Sequence, residues 1–225
     1  MKKTIALFLF YCITTLVTYG QIRNTQVNNE DIMWLLEDKG LKFFKYDLSD
    51  QFDETYNINI YIKEVDSNGP KEKLLLSFGK NKKSITEFND KDKEEYRLRN
   101  PNIKDEEIYH HLLDELKIGF NNINDSLVDV KFNISGNERH ININLRNCFI
   151  NPNRKFFYYE IRTFKEQDFE PNKEIPLLMY GSAWYDKQSG LVRFCMGHEL
   201  DSDLSNDAFQ YMPHYYVIGI IFDKI

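Results

Sequence analysis

Along residues 56–63 apolar and polar side chains alternate strictly. Tyr56, Ile58, Ile60 and Ile62 fall on one side, and Asn57, Asn59, Tyr61 and Lys63 on the other. A period of two marks a strand with one face in a core and one toward water. Residues 41–48 read as a strand before it. Asp66-Ser67-Asn68-Gly69-Pro70 supplies turn chemistry that returns the chain into 74–78.

The same period resumes with Val128, Val130, Phe132 and Ile134, and after Ser135-Gly136-Asn137 with Ile141, Ile143 and Leu145. Asn151-Pro152-Asn153 leads into 156–164. The short connections predict that these three strands are antiparallel neighbours. A further hairpin is predicted from 177–185 and 191–196 through Lys187-Gln188-Ser189-Gly190. Residues 215–222 are apolar at both parities, so that strand needs cover on both faces and a central place in its sheet. Residues 156–159, all aromatic, make the same demand.

Two segments show a helical pattern. Asn29 is placed to cap a short helix through Ile32, Met33, Leu35 and Leu36, which Gly40 ends. The stronger one covers about 105–120. Asp105, Glu106 and Glu107 suit a helix N-terminus, and Tyr109, Leu112, Leu113, Leu116 and Phe120 make one stripe. The pattern predicts an α+β, β-dominated fold. It is a twisted, mainly antiparallel sheet of about eight to nine strands, packed by the 105–120 helix or folded into two layers. The 80–104 segment, where charges of both signs mix, reads as solvent-exposed.

Composition narrows the class. With 225 residues, 42% of them hydrophobic, and only 10 Gly and 6 Pro, the chain is neither a disordered tail nor a collagen-like repeat. A formal charge of -6 offers no general attraction to phosphate backbones, so nucleic acid is not an expected partner. Lys2 and Lys3, the apolar run at 5–17 and the small residues before Gln21 match a secretory signal peptide. Residues 1–20 are therefore expected to be removed, leaving one globular domain at 21–225. That domain is periplasmic or extracellular, with no membrane span after processing. Loss of the two lysines takes the charge from -6 to -8. Cys148 and Cys195 are expected as unpaired thiols, because alternating strand directions put them near opposite ends of the sheet.

No strong catalytic motif is present. His198-Glu199 lacks the second histidine of a zinc hydrolase helix, since Ser202 stands four residues on. Gly181-Ser182-Ala183 lacks the second glycine of a nucleophile elbow and marks a close backbone approach instead. Asp201, Asp203, Ser205 and Asp207 match the start of a calcium loop, but Asn206 and Met212 replace its glycine and closing glutamate. Strand alternation brings three connections to one pole: 135–139, 165–175 and 198–213. They carry Arg139, His140, Glu166, Asp168, Glu170, His198, Glu199, Asp201, Asp203 and His214.

Three functions fit this pattern. The first is an exported non-catalytic binding or envelope-associated domain, without cofactor, for a protein, small-molecule or glycan ligand. Its contact residues would be Arg139, His140, Tyr180, Trp184 and Tyr185, aromatics giving large area at low entropy cost. The second is a metal-assisted hydrolase at the acidic pole. There His198, Asp201, Asp203 and His214 would hold Ca²⁺ or Zn²⁺, with Glu199 as base. The third is a secreted inhibitor or immunity-type partner.

Overall fold

The period-two segments form strands, and their inward side chains meet in a core between two sheets. A computed structural model describes residues 36, 39–48, 54–99, 101, 109–111, 113, 115–147, 157–168, 170–194, 199–205 and 207–225. All the described strands lie in the unit Glu37–Ile225. In chain order they begin with β1 (Leu41–Asp47), β2 (Tyr56–Asp66), β3 (Gly69–Pro70), β4 (Leu74–Lys80) and β5 (Lys82–Ser84). After helix α1 (Asp90–Arg99) come β6 (Tyr109–His111), β7 (Glu115–Asn124), β8 (Leu127–Ile134) and β9 (Asn137–Asn144). The chain continues with β10 (Tyr159–Phe164), β11 (Glu174–Ser182), β12 (Trp184–Asp186), β13 (Leu191–Arg193) and β14 (Glu199–Leu200). A single turn of helix, α2 (Ala208–Tyr211), precedes β15 (His214–Lys224).

One sheet has four strands in the order β1-β7-β8-β9. The other has seven, in the order β14-β10-β11-β15-β2-β3, with β4 also on β2. Every pairing is antiparallel except β10 with β14. Ile118, Val130 and Phe132 of the first sheet and Ile58, Ile60 and Ile218 of the second are fully buried in a single cluster. The Phe120 and Tyr180 rings, one from each sheet, stand 5.4 Å apart. The β-dominated, mainly antiparallel expectation holds, in its two-layered form. Burying each such side chain contributes about 1.5–3 kcal/mol.

As its sequence required, β15 is central and covered twice. Tyr216, Ile218, Ile220 and Phe222 face the sandwich. Val217 and Ile221 join Tyr61, Phe164, Met179, Leu200 and Met212 in a second cluster on the outer face. A Cβ on Gly219 would collide with the Ile175 carbonyl and come within 2.5 Å of the Tyr61 ring, so only glycine admits this crossing. One on Gly181 would collide with the side-chain sulfurs of Met179 and Met212, not with the backbone that its sequence context led us to expect.

Three expectations are corrected. The 105–120 segment is not the packing helix. Glu115–Asn124 is β7, and Leu116, Ile118 and Phe120 alternate inward while both edges of the strand pair, with β1 and β8. Leu116 and Phe120 satisfy both periods, and pairing on two sides decides for the strand. Nor are the strands around 127–164 three neighbours. β9 is an edge strand, whereas β10 lies in the other sheet between β11 and β14. The connection between them is long enough to carry the chain across the sandwich, where Tyr159 and Ile161 find their cover.

Finally, the 80–104 segment is not uniformly solvated. Asn81 is fully buried, accepts the Tyr56 N–H at 2.8 Å and donates to the Glu54 carbonyl at 3.2 Å. The main helix of the described residues, α1, lies in this segment and buries none of its side chains. The predicted hairpin is confined to β12 and β13. The expected signal peptide, the helix near Ile32, Cys148, Cys195 and His198 fall outside the described residues. No helix among the described residues is long and apolar enough to cross a membrane.

Candidate functional site

The inward parity of β2 runs through Tyr56, Ile58, Ile60 and Ile62 and ends on two acids, Glu64 and Asp66. Beside them β15 begins, with His214 opposite Asp66. His214 is 1% exposed, and both of its ring nitrogens are engaged. Nδ1 stands 2.6 Å from the Tyr159 hydroxyl and Nε2 3.2 Å from Glu64 Oε1. The Tyr159 hydroxyl accepts the Arg146 N–H at 2.9 Å, and its own proton has two acceptors, the Arg146 carbonyl at 3.4 Å and Nδ1 at 2.6 Å, of which the much shorter contact assigns it to Nδ1. The neutral imidazole then carries its proton on Nε2 and donates to Glu64.

Arg146 brings the charge. It leaves β9 and places its guanidinium on both acids, Nη1 on Asp66 and Nη2 on Glu64. Lys71 stands 3.3 Å from Glu64 and 3.2 Å from Asp66. The Asn68 N–H, together with Lys71 and Arg146, pulls the Asp66 carboxyl down to about 2. Burial works against ionisation of Glu64, but the bonds from Arg146, Lys71 and His214 outweigh it and lower its pKa. Burial also holds His214 below the ordinary histidine value, against the opposing bond from Glu64. Among the described residues each ionisable group of this network has a partner. The network joins the two sheets and presents no unengaged nucleophile or base.

The open chemistry lies at the β12–β13 hairpin. Trp184, Tyr185, Asp186, Lys187, Gln188, Arg193 and Tyr211 line a recess of about 440 Å³. Trp184 and Tyr211, the latter at the end of α2, have rings 6.3 Å apart and inclined by only 23°. Tyr211 is 64% exposed. Asp186 fixes the hairpin turn: it accepts from the Gln188 N–H at 2.9 Å and from the Ser189 hydroxyl at 2.7 Å. Arg193 Nε completes the set at 2.7 Å. The bonds from Ser189 and Gln188, and the Arg193 charge, hold the Asp186 carboxyl below its ordinary range. Gly190 closes the turn with a positive φ of 71°.

A second recess, of about 310 Å³, opens on the outer face between Tyr61, Lys63, Glu174 and Leu204. Its charges are spent internally, since Lys63 and Lys73 both pair with Glu174 over the Tyr61 ring.

The sequence-derived candidates do not converge on one pole. Glu199 pairs with Thr163 at the far end of β10, in the row that continues through Leu178 to Ile218. His214 is therefore four residues along and three strands across from it, about 13 Å by 14 Å on standard strand spacings. Asp201 is bonded to Lys165 at 2.6 Å, Asp203 caps the Ser205 N–H at 2.9 Å, and Glu170 pairs with Lys173. Among the described residues no three His, Cys, Asp or Glu side chains gather to hold a metal ion. Arg139 lies over the Phe78 ring at 5.5 Å, and His140 sits by Asp129 at 3.3 Å. Tyr180 is in the core, against Phe120 and Tyr159, and is no surface contact. Only Trp184 and Tyr185 of the five binding candidates meet.

Tyr211 joins them unforeseen. Its signal was an aromatic stranded in the polar 198–213 connection. No curated protein and no solved structure matches the chain. Residues 13–224 match the family described as Domain of unknown function (DUF5041), and the chain belongs to that family.

Proposed function

We propose that this is an exported, non-catalytic binding protein whose ligand seats in the recess of the β12–β13 hairpin. One observation carries the reading: the near-parallel Trp184 and Tyr211 rings border about 440 Å³ of open space on a hairpin braced by Asp186. That volume falls within the roughly 300–1,000 Å³ of small-ligand sites, and aromatic walls with a few fixed polar groups are their usual lining. The Lys2-Lys3 pair and the apolar run after it support export. The two-sheet core supports a rigid platform for the hairpin.

The test is amide hydrogen exchange on the processed protein, with and without the dialysable fraction of its own extracytoplasmic milieu. Protection centred on residues 184–193 and 211 is expected. Protection confined to other segments, or none, overturns the reading. Fractionation with N-terminal sequencing checks export, with Gln21 expected as the first residue.

A further inference from the structure

We infer that the recess at Trp184 and Tyr211 recognises a short, uncharged saccharide, an assignment that rests on the binding role proposed above. The Trp184 and Tyr211 rings stack 6.3 Å apart and 23° from parallel, and Tyr211 is 64% exposed, so the pair presents a flat, electron-rich surface of the kind that C–H bonds on one side of a pyranose ring can cover. A purely apolar ligand would want apolar walls throughout, but beyond the three aromatic residues Trp184, Tyr185 and Tyr211 this lining is polar: Asp186, Lys187, Gln188 and Arg193. These residues supply carboxylate, amide and guanidinium groups, which serve hydroxyls as acceptors and donors.

Charge selects against an ionic ligand. Asp186 and Arg193 neutralise each other at 2.7 Å, so the rim holds both signs in balance apart from Lys187. Arg193 uses only Nε for that pair, and among the described residues nothing occupies its two terminal amino groups. Asp186 is fixed by Ser189 and Gln188 before any ligand arrives, so the polar edge is preorganised. A nucleotide would also stack on the rings, but its phosphates would meet an acidic protein with two local cations, one of them already paired.

The chain has two tryptophans, Trp34 and Trp184, so the Trp34→Phe variant makes emission report on the recess. The probes are maltose, cellobiose and diacetylchitobiose at millimolar concentration, beside adenosine, uridine monophosphate and a tripeptide series. Calorimetry on the unsubstituted chain guards against effects of the Trp34 change. The expected result is a saturable response to at least one disaccharide. Tyr211→Ala weakens it about tenfold, as the loss of one aromatic contact does, without moving the unfolding midpoint. Arg193→Lys, which keeps the charge and loses the fork, weakens it as well. A saturable response to the nucleotide or peptide probes alone overturns the saccharide and leaves the binding role standing. No response to any probe overturns the saccharide, and where the hairpin also shows no exchange protection it overturns the binding role as well.

Discussion

Tyr159 holds its hydroxyl 2.6 Å from Nδ1 of His214, across the intervening strand β11. Ser182 of that strand accepts the His214 backbone N–H at 3.3 Å, while Glu64 of β2 faces Nε2 at 3.2 Å, so β10 and β2 meet on the imidazole and β11 holds its backbone. Because the same hydroxyl accepts the Arg146 N–H, it also fastens the chain leaving the four-stranded sheet. Tyr159→Phe keeps the ring but strands a buried imidazole nitrogen and a backbone donor. The expected loss is about 1–3 kcal/mol of stability, read by urea unfolding. A double-mutant cycle with His214→Phe should show strong coupling between the two positions, and additive losses would break the link.

The same histidine sets a pH window. Its folded pKa is lowered, so the unfolded chain binds a proton first as pH falls. Stability from the neutral imidazole is fully present above the ordinary value of 6.5 and is lost as pH falls from there through the depressed folded value. The groups facing it are Tyr159, Glu64, Arg146, Asp66 and Tyr216. Glu64 and Asp66 have lowered pKa values of their own, and their contribution is lost only at more acid pH, toward about 2 for Asp66. The decline in unfolding free energy is therefore expected to begin as pH falls below about 6.5, ahead of the carboxylates, and His214→Asn should abolish that early part. A single decline below pH 4 in both proteins would contradict this order.

Much of this cluster was legible in the parity of two strands. Continuing the inward positions of β2 past Ile62 lands on Glu64 and Asp66, and continuing those of β15 backward from Ile218 lands on Tyr216 and His214. Buried acids facing a buried imidazole could have been read there. Arg146 could not, because its role depends on a crossing between sheets that period two does not encode. The same blindness undid the acidic pole: strand alternation tracks direction within one sheet, and β10 belongs to another. At 105–120 two periods shared Leu116 and Phe120, and only pairing on both edges of β7 separated them. Trp184 and Tyr185 were found by residue type alone, whereas Tyr211 needed the fold to bring α2 beside the hairpin.

Gly219 tests the two-faced centre of the larger sheet. Gly219→Ala places a methyl group against the Ile175 carbonyl and the Tyr61 ring. Backbone cannot yield as a side chain can, so the expected cost is about 1–3 kcal/mol, seen as a lower denaturation midpoint with an unchanged slope. Tyr61→Leu in the same chain clears one of the two collisions and should recover part of the loss. Full recovery would show that the carbonyl contact is harmless.

Asn89 separates local from global stability. It caps α1: its Oδ1 accepts the Asp92 N–H at 2.9 Å, and its carbonyl accepts the Lys93 N–H at 2.9 Å. Acids in the first turn and Arg97 and Arg99 in the last complement the helix dipole. Removing such a cap costs about 1 kcal/mol of helix stability. Yet α1 buries none of its side chains, so the sandwich has little to lose when the helix frays. Asn89→Ala should therefore speed amide exchange across Asp90–Arg99 and leave the midpoint of global unfolding in place. A parallel fall in that midpoint would mean that this charged helix is coupled to the core.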